Sequence, residues 1–425
     1  MKPAHEPKAR LGGKAAFSSL LRVQAGQAAL CSAQHIACPI EEAKMSAPFI
    51  VHTEASRSWG GQEIRVLTEL LAMRARGCRV ALLATAGAPL AERATAAGIA
   101  VHELPGFRDM NPATWMRLWR LLRWLRPTVV NAHSSDDSWT AAPLARLLDV
   151  PLVLRTRHVL TTVSCLGLYR LPHAVVACSE AIADGLVRQG LDRGRISVIP
   201  TGNDEGRFRF SADKRQALRA RYQIREGELL VGNVGFLRGY KGQHFILDTL
   251  AALPQRYRAI LVGDGDLRGG LEQRAAELNL GGRVIFAGHQ ERPEDFYQAF
   301  DLFFFSSHAA EGVSQALVQA LLNGLPVLAC RLASTEEALA GVTASKLVNH
   351  GDVRAACAGV LELAPRPGRD PVQMAAQHQL IAARYGLSAM MTRLTRLYAR
   401  HGIVLPQAAS GPATKKVVEA LCTGA

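Results

Sequence analysis

Long hydrophobic runs are missing from this 425-residue chain, and so are the common cysteine motifs. No apolar run approaches the roughly 20 residues that a membrane-spanning helix needs, so an integral membrane protein is nearly excluded. No two cysteines form C-x-x-C, which excludes zinc ribbons and dithiol redox motifs and fits a reducing compartment such as the cytosol. The cysteines lie apart, at positions 31, 38, 78, 165, 178, 330, 357 and 422.

Acidic residues are also scarce relative to basic ones. The chain has 36 Asp and Glu against 50 Lys and Arg, which gives a formal net charge of +14. This excess favours anionic partners, such as nucleic acid, phosphorylated substrates or an anionic membrane face. We disfavour nucleic acid because the chain has neither a basic tail nor a recognised nucleic-acid motif. The patterns G-x-x-x-x-G-K-[ST] and G-x-G-x-x-G are missing too, so neither an ATPase nor a simple dinucleotide enzyme is supported.

The first 44 residues show no clear hydrophobic period, and we expect them to form a disordered leader. A start at Met45 is the alternative, because a strand pattern follows it over 48–53. Arg22 interrupts the apolar stretch 15–30, whereas the apolar core of a secretory signal is continuous, so we reject a signal peptide. A membrane-targeting segment is a weaker interpretation. We expect residues 403–425 to be a frayed tail with a weak helical tract over 415–421.

From residue 47 onward, short apolar runs alternate with amphipathic stretches, which predicts parallel sheets covered by helices on both faces. The predicted strands of the first half are 48–53, 78–85, 100–104, 128–132, 152–156, 174–177 and 196–199. Those of the second half are 229–235, 259–262, 284–287, 302–306 and 326–329. The sequence therefore predicts an α/β protein with two Rossmann-like, doubly wound domains, over 45–210 and 211–385. Ligands of such sheets bind beyond the carboxyl ends of the strands, here in the cleft between two sheets.

The loops of the first half at these strand ends carry residues that suit an anionic ligand. Gly60 and Gly61 open a helix, so backbone N–H groups can approach an anion, although a plain turn is the alternative. His133 follows a strand and can hydrogen-bond a sugar or a phosphate. In the alternative interpretation, that loop only caps the next helix through Ser135 or Asp136.

Two loops of the second half carry charges at the corresponding places. Arg238 and Lys241 precede a helix at a spacing that can clamp a diphosphate, and two solvated surface cations are the alternative. Glu311 stands at the start of another predicted helix. It can hold sugar hydroxyls beside open N–H groups, or it can simply favour the positive end of the helix dipole.

In this order, these segments resemble the retaining glycosyltransferases of the GT-B fold, family four. The resemblance covers about residues 46–402, and each motif is modest but all occur in register. The matching segments are 60–63 with Arg65, 129–133, 176–180, 199–204 with 207–208, 238–242, 261–265, 305–307, 311–312 and 324–327.

The resemblance implies that a nucleotide-sugar donor lies mainly on the C-terminal domain. Arg238 and Lys241 would bind its diphosphate, Glu311 would hold sugar hydroxyls, and His133 would lie beside the sugar from the N-terminal side. The nucleobase would lie near 288–289, and the distal phosphate near 315–317. The donor-binding residues implied in this way are Gly60, Gly61, Gly288, His289, Gly312, Ser314, Gln315, Ala316, Leu317 and Gln319. A last helix, over 386–402, would cross back to the first domain.

The resemblance also bears on the chemistry. No dedicated general base is implied, because the leaving phosphate itself would take the proton of the acceptor. Asp264 and Asp266 form D-x-D, a metal-diphosphate motif in other glycosyltransferases. Here they fall on a predicted turn, so we expect no essential metal. We expect no cofactor beyond the nucleotide-sugar co-substrate.

Four places depart from the family pattern. Gln319 replaces a glutamate that accepts from ribose hydroxyls, and an amide oxygen can still accept, so we expect activity with altered donor affinity. Phe236 replaces the arginine of a common G-R-L loop, so Arg238 must serve instead. Thr201 stands where asparagine is usual, and 346–352 is a worn version of a glycine- and proline-rich turn.

Residues 112–126 have the pattern of an amphipathic helix. The ordinary interpretation is a crossover helix that packs on the sheet. Its basic side and Trp124 could instead rest on an anionic leaflet. The predicted apolar face holds Trp115, Leu118, Trp119, Leu121, Leu122 and Leu125, and the basic side holds Arg117, Arg120 and Arg123.

Arg155, Arg157 and His158 end another strand of the first half, and they are our candidates for contact with a phosphorylated acceptor. Solvated side chains are the alternative. We predict a cytoplasmic glycosyltransferase, peripheral on the inner face of the inner membrane, that works on lipopolysaccharide, another cell-surface polysaccharide or a lipid-linked glycan. The alternatives are a nucleotide-sugar epimerase of the same fold and a non-catalytic relative that binds a nucleotide-sugar or a glycan.

Overall fold

The computed structural model describes residues 47–107, 112–162, 166–309, 311–364 and 370–406. The predicted leader, the alternative start at Met45 and the predicted tract over 415–421 lie outside the described residues. Two parallel sheets, one in each half of the chain, confirm the predicted pair of Rossmann-like domains. Within the described ranges, no helix is long and apolar enough to cross a membrane.

The N-terminal sheet, in the part of the chain described, is parallel with the strand order β3-β2-β1-β4-β5-β6-β7. Its central strands are buried along their whole length, because helices cover both faces of continuous apolar runs. Val51 pairs with Ala81 on one side and with Val130 on the other. The strands are β1 (Phe49–Glu54), β2 (Arg79–Thr85), β3 (Ala100–Leu104), β4 (Val129–Ala132), β5 (Leu152–Arg157), β6 (Ala174–Ala177) and β7 (Ile196–Val198).

The helices of this half connect successive strands and begin at the carboxyl edge of the sheet. The Ser134 hydroxyl accepts the N–H of Asp137 and caps the helix after β4, so the predicted cap at Ser135 or Asp136 is wrong by at least one residue. Ser179 caps the helix after β6 in the same way. The helices are α1 (Gly61–Ala75), α2 (Pro89–Ala96), α3 (Pro112–Leu125), α4 (Ser135–Leu147), α5 (Gly167–Arg170) and α6 (Glu180–Arg188).

The C-terminal sheet is parallel, with the strand order β10-β9-β8-β11-β12-β13. Its strands are β8 (Leu229–Val234), β9 (Tyr257–Val262), β10 (Val284–Gly288), β11 (Leu302–Phe305), β12 (Val327–Cys330) and β13 (Ser345–Val348). The helices around it are α7 (Ala212–Arg221), α8 (Gln243–Ala252), α9 (Arg268–Glu277), α10 (Glu294–Ala299), α11 (Gln315–Leu322), α12 (Ala333–Leu339), α13 (Val353–Leu363) and α14 (Pro371–Tyr385).

The edge strand β13 was not predicted. It pairs with β12 from Ser345 to Val348. Ser345 and Lys346 are half-buried polar residues, so this strand lacks the continuous apolar run that marks the central strands.

The last helix, α15 (Leu387–Arg400), returns to the N-terminal sheet. Its apolar side chains share a buried cluster with residues of β1, β4 and β5. At the crossing, Asn203 N–H donates to the Tyr385 carbonyl and Leu387 N–H donates to the Asn203 carbonyl, both at 2.8 Å. The chain therefore crosses between the two domains twice, and the two crossing segments lie side by side and are hydrogen-bonded to each other. The residues of α15 in the cluster are Met390, Met391, Leu394, Leu397 and Tyr398.

Candidate functional site

Loops from the carboxyl ends of both sheets meet in the cleft. The Gln315 side chain donates to the Gly61 carbonyl at 2.7 Å. Val159, after β5, forms an antiparallel bridge with Glu311, after β11. A Cβ built on Gly60 would lie 3.6 Å from the Phe236 ring. The structure therefore brings the predicted loops of the two halves into one site.

The centre of this site is an ion pair between Lys241 and Glu311. The Nζ–Oε1 distance is 2.5 Å, and each side chain is 18% exposed. Lys241 lies in a single turn of 3₁₀ helix after β8, and its carbonyl accepts from the Ser306 hydroxyl. Gly242 follows with φ +65, and a Cβ there would lie 2.3 Å from the Ser306 carbonyl oxygen, so only glycine fits. Backbone packing thus fixes the lysine opposite the glutamate.

Arg238 stands three residues before Lys241, its carbonyl accepts the Lys241 N–H at 2.9 Å, and its side chain is exposed. Its guanidinium lies over the Phe236 ring, 4.7 Å from the ring centroid. Arg238 and Lys241 are thus two cations at one strand end, as the sequence predicts for a diphosphate site. Only Lys241 of the two has a carboxylate partner among the residues that the structure describes.

The segment after Glu311 leads into α11, which begins at Gln315, a few residues later than the sequence pattern predicts. Ser314 precedes the helix without a side-chain cap, so its first N–H groups remain available to an anion. A Cβ on Gly312 would lie 2.9 Å from the His158 carbonyl oxygen, which explains the glycine there. Ala316 is half-buried, whereas Leu317 is fully buried and can offer a ligand only its backbone.

Another predicted donor residue, Gln319, lies one turn farther along α11. The Gln319 Oε1 accepts from the Tyr297 hydroxyl at 3.1 Å, and its Nε2 donates to Asn203 Oδ1 at 3.3 Å. Gln319 therefore connects the site to the crossing segment between the domains. Its predicted contact with a ribose stays a prediction.

Gly288 ends β10 with φ +70, and His289 follows it on the surface. The His289 ring lies 3.4 Å from Glu291, which also pairs with Arg93 of the N-terminal half at 3.5 Å. These contacts place His289 at the mouth of the cleft, and the carbonyl of Gly288 beside it accepts from Gly263 N–H at 2.8 Å. The predicted nucleobase contact is untested.

A closed turn joins β1 to α1. Glu63 Oε2 accepts the Gly60 N–H at 2.8 Å, which is the half of a capping box that a glycine allows, because Gly60 has no side chain to accept in return. Glu54, fully buried at the end of β1, accepts from Ser56 N–H and from the Gln62 side chain. Burial, followed by the nearby charge of Asp137, raises the pKa of Glu54 to about 8. Glu54 is therefore protonated at neutral pH, and the turn carries no charge from it.

His133 belongs to a buried row of imidazoles, His52, His133 and His158, which we call the histidine row. His133 Nε2 lies 2.8 Å from His52 Nδ1, and His133 Nδ1 lies 3.0 Å from His158 Nε2. The three residues stand on or just after β1, β4 and β5, which are neighbours in the sheet. Both ring nitrogens of His133 are occupied and the residue is only 2% exposed. Its predicted contact with a sugar stays a prediction.

The histidine row is uncharged at neutral pH. Burial lowers the pKa of all three rings, to about 3 for His52, where Arg65 adds repulsion. A neutral imidazole has one N–H and one acceptor nitrogen, so the rings must alternate donor and acceptor along the row. Glu69 lies 3.6 Å from His52 at one end, and Cys178 Sγ lies 3.5 Å from His158 at the other. His52 Nε2 has no hydrogen-bond partner among the described residues, so only the Cys178 contact at the other end bears on the tautomers of the row.

Sequence reasoning missed His52, Glu69 and Cys178. His52 lies inside a strand and Glu69 inside a helix, where single residues give no functional signal. Cys178 lies in a segment that matched the family pattern, but nothing in the sequence linked it to a histidine. The signal that joins them is strand order, since β1, β4, β5 and β6 lie side by side.

Arg155 and Arg157, at the end of β5, are buried, so the alternative of two solvated side chains is wrong. Arg155 donates to the Ala132 carbonyl at 3.2 Å, and Arg157 donates to the Thr161 carbonyl at 2.9 Å. Both guanidinium groups lie within 6 Å of the Tyr169 ring centroid, at 5.6 and 5.9 Å. They form a buried positive region behind His158. Contact with an acceptor is untested.

Asp264 is engaged by its own turn. Its Oδ1 accepts the Gly265 N–H at 2.8 Å, and its Oδ2 lies 3.1 Å from Arg268. The hydrogen bond from the Gly265 N–H, and to a smaller extent the contact with Arg268, lowers the pKa of Asp264. In the part of the chain that the structure describes, no three His, Cys, Asp or Glu side chains are grouped as metal ligands would be.

Helix α3 buries only part of its predicted apolar face. Leu118 and Leu122 are buried in the core of the N-terminal domain, and the remaining four predicted residues are partly buried against it. Met116 is 48% exposed and Trp124 is 73% exposed. An apolar cavity of about 540 Å³ lies on one side of the helix, lined by Pro112, Trp115, Met116, Trp119 and Leu144. A second cavity of about 670 Å³ lies on the other side, lined by residues that include His102, Arg117, Arg120 and Trp124.

Two family models match the chain, one in each domain. Residues 59–207 match Glycosyltransferase Family 4, and residues 228–365 match Glycosyl transferases group 1. The two matches contain the loops that form the site.

Individual relatives agree with these matches. EpsF of Bacillus subtilis, which is named as a glycosyltransferase, is 27% identical over 300 residues, 66% of this chain and 78% of that protein. The lipopolysaccharide core biosynthesis glycosyltransferase LpsE of Rhizobium meliloti is 30% identical over 166 residues, 39% of this chain and 46% of LpsE. The crystal structure of Anabaena HepE in complex with UDP-glucose superimposes with a TM-score of 0.74 at 20% identity, covering 83% of this chain and 100% of that one.

Proposed function

Because the chain belongs to the family-four glycosyltransferases of the GT-B fold, we propose that it moves a sugar from a nucleotide-sugar to a glycan or lipid-linked acceptor with retained anomeric configuration. The observation that carries this proposal is the pairing of Lys241 with Glu311 in the cleft, with Arg238 beside it. Two cations and one carboxylate at the ends of two neighbouring strands, β8 and β11, suit a diphosphate attached to a polyhydroxylated sugar. The HepE complex with UDP-glucose, a structure of the same fold, supports a nucleotide-sugar as the donor.

In the proposed donor complex, phosphate oxygens replace Glu311 as the partner of Lys241. Glu311 then turns to accept from hydroxyls of the donor sugar. The first N–H groups of α11, from Gln315 to Leu317, face the distal phosphate, and the Gly61 backbone closes on it from the other domain. The Gln315 side chain, which now holds the Gly61 carbonyl, keeps that turn in place.

Catalysis in this proposal is mainly electrostatic. As the bond to the sugar breaks, negative charge grows on the leaving diphosphate, and Arg238 and Lys241 stabilise it. The leaving phosphate takes the proton of the acceptor hydroxyl, so no side chain acts as a general base. We propose that the reaction needs no metal, and activity that persists in EDTA would support this.

We propose a lipopolysaccharide or another cell-surface glycan as the acceptor, and the inner membrane face as the place of action. The name of LpsE supports the first part. For the second part, the exposed Met116 and Trp124 alternate on α3 with Arg117 and Arg120, which line a cavity beside the helix. Exposed aromatic and aliphatic side chains beside arginines suit an anionic lipid surface.

The first experiment is a thermal-shift screen of the purified protein with UDP-, GDP-, ADP- and CMP-sugars, without metal and then with it. A ligand at 100 times its Kd should stabilise the protein by about 2.7 kcal/mol. The sugar that responds is then incubated with candidate acceptors, and NMR of the product shows whether the anomeric configuration is retained.

The outcomes separate the proposal from its alternatives. Transfer with retention, abolished by Glu311→Ala, is the expected result. Conversion of the nucleotide-sugar without any acceptor would point to an epimerase. Binding without turnover would point to a non-catalytic relative, and silence across the panel from a folded protein would refute the donor site.

A further inference from the structure

Phe236 and Arg238 lie on the same side of the loop that follows β8. The Arg238 N–H donates to the Phe236 carbonyl at 3.0 Å, so a tight turn centred on Leu237 joins the two residues. The guanidinium lies over the Phe236 ring at 4.7 Å from its centroid. Leu237, between them, points the other way and is 1% exposed in the core. The turn at Leu237 therefore brings the arginine side chain onto the phenylalanine ring.

The base of this stack is held firmly by backbone contacts. Leu237 N–H donates to the Asp264 carbonyl at 3.0 Å, and the Leu237 carbonyl accepts from Leu267 N–H at 3.1 Å. The Gln243 side chain donates to the Phe236 carbonyl at 3.0 Å. Because these hydrogen bonds hold the backbone that carries the Phe236 ring, the ring is a fixed surface for a neighbouring side chain.

Core packing does not account for Phe236. The residue is 39% exposed, and its ring approaches the Gly60 turn of the opposite domain. Arg238 has no carboxylate partner among the described residues, so the aromatic ring is the contact that orients its guanidinium. Lys241 differs, because Glu311 holds it directly.

We propose that Phe236 is a positioning residue that holds Arg238 in place for the diphosphate of the donor. The ring takes the face of the guanidinium, and the in-plane N–H groups stay free to donate to phosphate oxygens. An arginine that is already ordered loses less side-chain freedom when the ligand binds. This inference rests on the proposed function, since it names the group that Arg238 meets.

The test is calorimetric titration of the full chain with UDP, or with GDP or ADP if the wild type binds one of these instead. Phe236→Leu removes the aromatic face but keeps an apolar side chain against Gly60. We expect it to weaken binding about three- to tenfold, as the loss of a cation–π contact would. Phe236→Tyr keeps the ring, so its affinity should stay within about twofold of that of the wild type. A tenfold change in affinity corresponds to about 1.4 kcal/mol, so this difference is small.

A double-mutant cycle shows whether Phe236 acts through Arg238. Arg238→Ala should weaken binding, and adding Phe236→Leu should weaken it no further. Trp139→Leu is a matched control, because Trp139 is an aromatic residue, 47% exposed, on α4. Trp139→Leu should bind the nucleotide with the affinity of the wild type. Phe236→Leu should have the melting temperature of the wild type.

Equal affinity of Phe236→Leu and the wild type would overturn this inference and leave the proposed function standing. So would losses that add fully in the double variant, because the ring would then act independently of Arg238. A folded wild type that binds none of UDP, GDP and ADP would overturn both the inference and the proposed function.

Discussion

Replacing Lys241 by alanine tests the proposed centre of the site most directly. The ammonium group is 18% exposed and lies in contact with Glu311, so the variant removes a charge from a partly dehydrated cleft. Two unit charges about 4 Å apart interact by about 4 kcal/mol at an effective dielectric constant near 20. The free enzyme already gains part of this from Glu311, which leaves roughly 2–3 kcal/mol for the difference between the transition state and the free enzyme. That range corresponds to a fall in kcat/KM of roughly 30- to 150-fold.

The assay is the initial rate of nucleoside diphosphate release at limiting donor, together with a melting curve for each variant. Lys241→Arg keeps the positive charge and should recover part of the activity. Lys214→Ala is the matched control, because Lys214 is a half-exposed lysine that pairs with Asp295 at 3.0 Å on the surface. Its kcat/KM should stay within about twofold of the wild type, since such surface pairs contribute little.

One result would refute this reasoning. If Lys241→Ala is folded, melts normally and keeps kcat/KM within twofold of the wild type, Lys241 does not face the developing charge. The ion pair with Glu311 would then be a structural contact between two loops of the C-terminal domain. The assignment of Arg238 would need to be tested again on its own.

Three further predictions address other parts of the molecule. The pKa of Glu54 is raised from 4.5 to about 8, so between these values the folded state holds a proton that the unfolded state has released, and stability falls as pH rises. Glu54→Gln should remove this dependence of stability on pH. The melting temperature of the variant minus that of the wild type should therefore increase from pH 5 to pH 8. If the two melting temperatures instead change in parallel with pH, the burial argument is contradicted. Gln319→Glu should tighten UDP binding about threefold or more, because a carboxylate is the stronger acceptor for a ribose hydroxyl, and an unchanged Kd would place the ribose elsewhere. Replacing Arg117, Arg120 and Arg123 together by glutamate should abolish sedimentation with anionic vesicles but spare activity on a soluble acceptor; a variant that still sediments would exclude α3 as the membrane contact.

The sequence was sufficient for the fold because its signal is local. Continuous apolar runs such as 174–177 and 302–306 can satisfy their backbone only within a covered parallel sheet, and the helices between them show their own period. Most strand ends were predicted within two residues. The edge strand Ser345–Val348 was missed because Ser345 and Lys346 are polar, so no continuous apolar run marks it.

The glycines of the site were informative for a similar reason. Gly242 adopts a conformation with positive φ, and a Cβ on Gly312 would collide with backbone from the other domain. Such residues mark close approaches of the chain, and they stand beside the charged residues that the sequence singled out. The loops of the candidate site could therefore be found in advance, although the contacts of their side chains could not.

The sequence by itself determined the two sheets, the order of their strands along the chain and the loops that carry Arg238, Lys241 and Glu311. The tertiary structure decided which side chains meet: it paired Lys241 with Glu311, stacked Arg238 on Phe236, and joined His133 to two other histidines. The physical reason is the distance along the chain over which each kind of interaction acts. Hydrophobic periodicity and turn chemistry act over a few residues, whereas these contacts depend on strand order and on the closure of two domains, which bring together residues far apart in the chain.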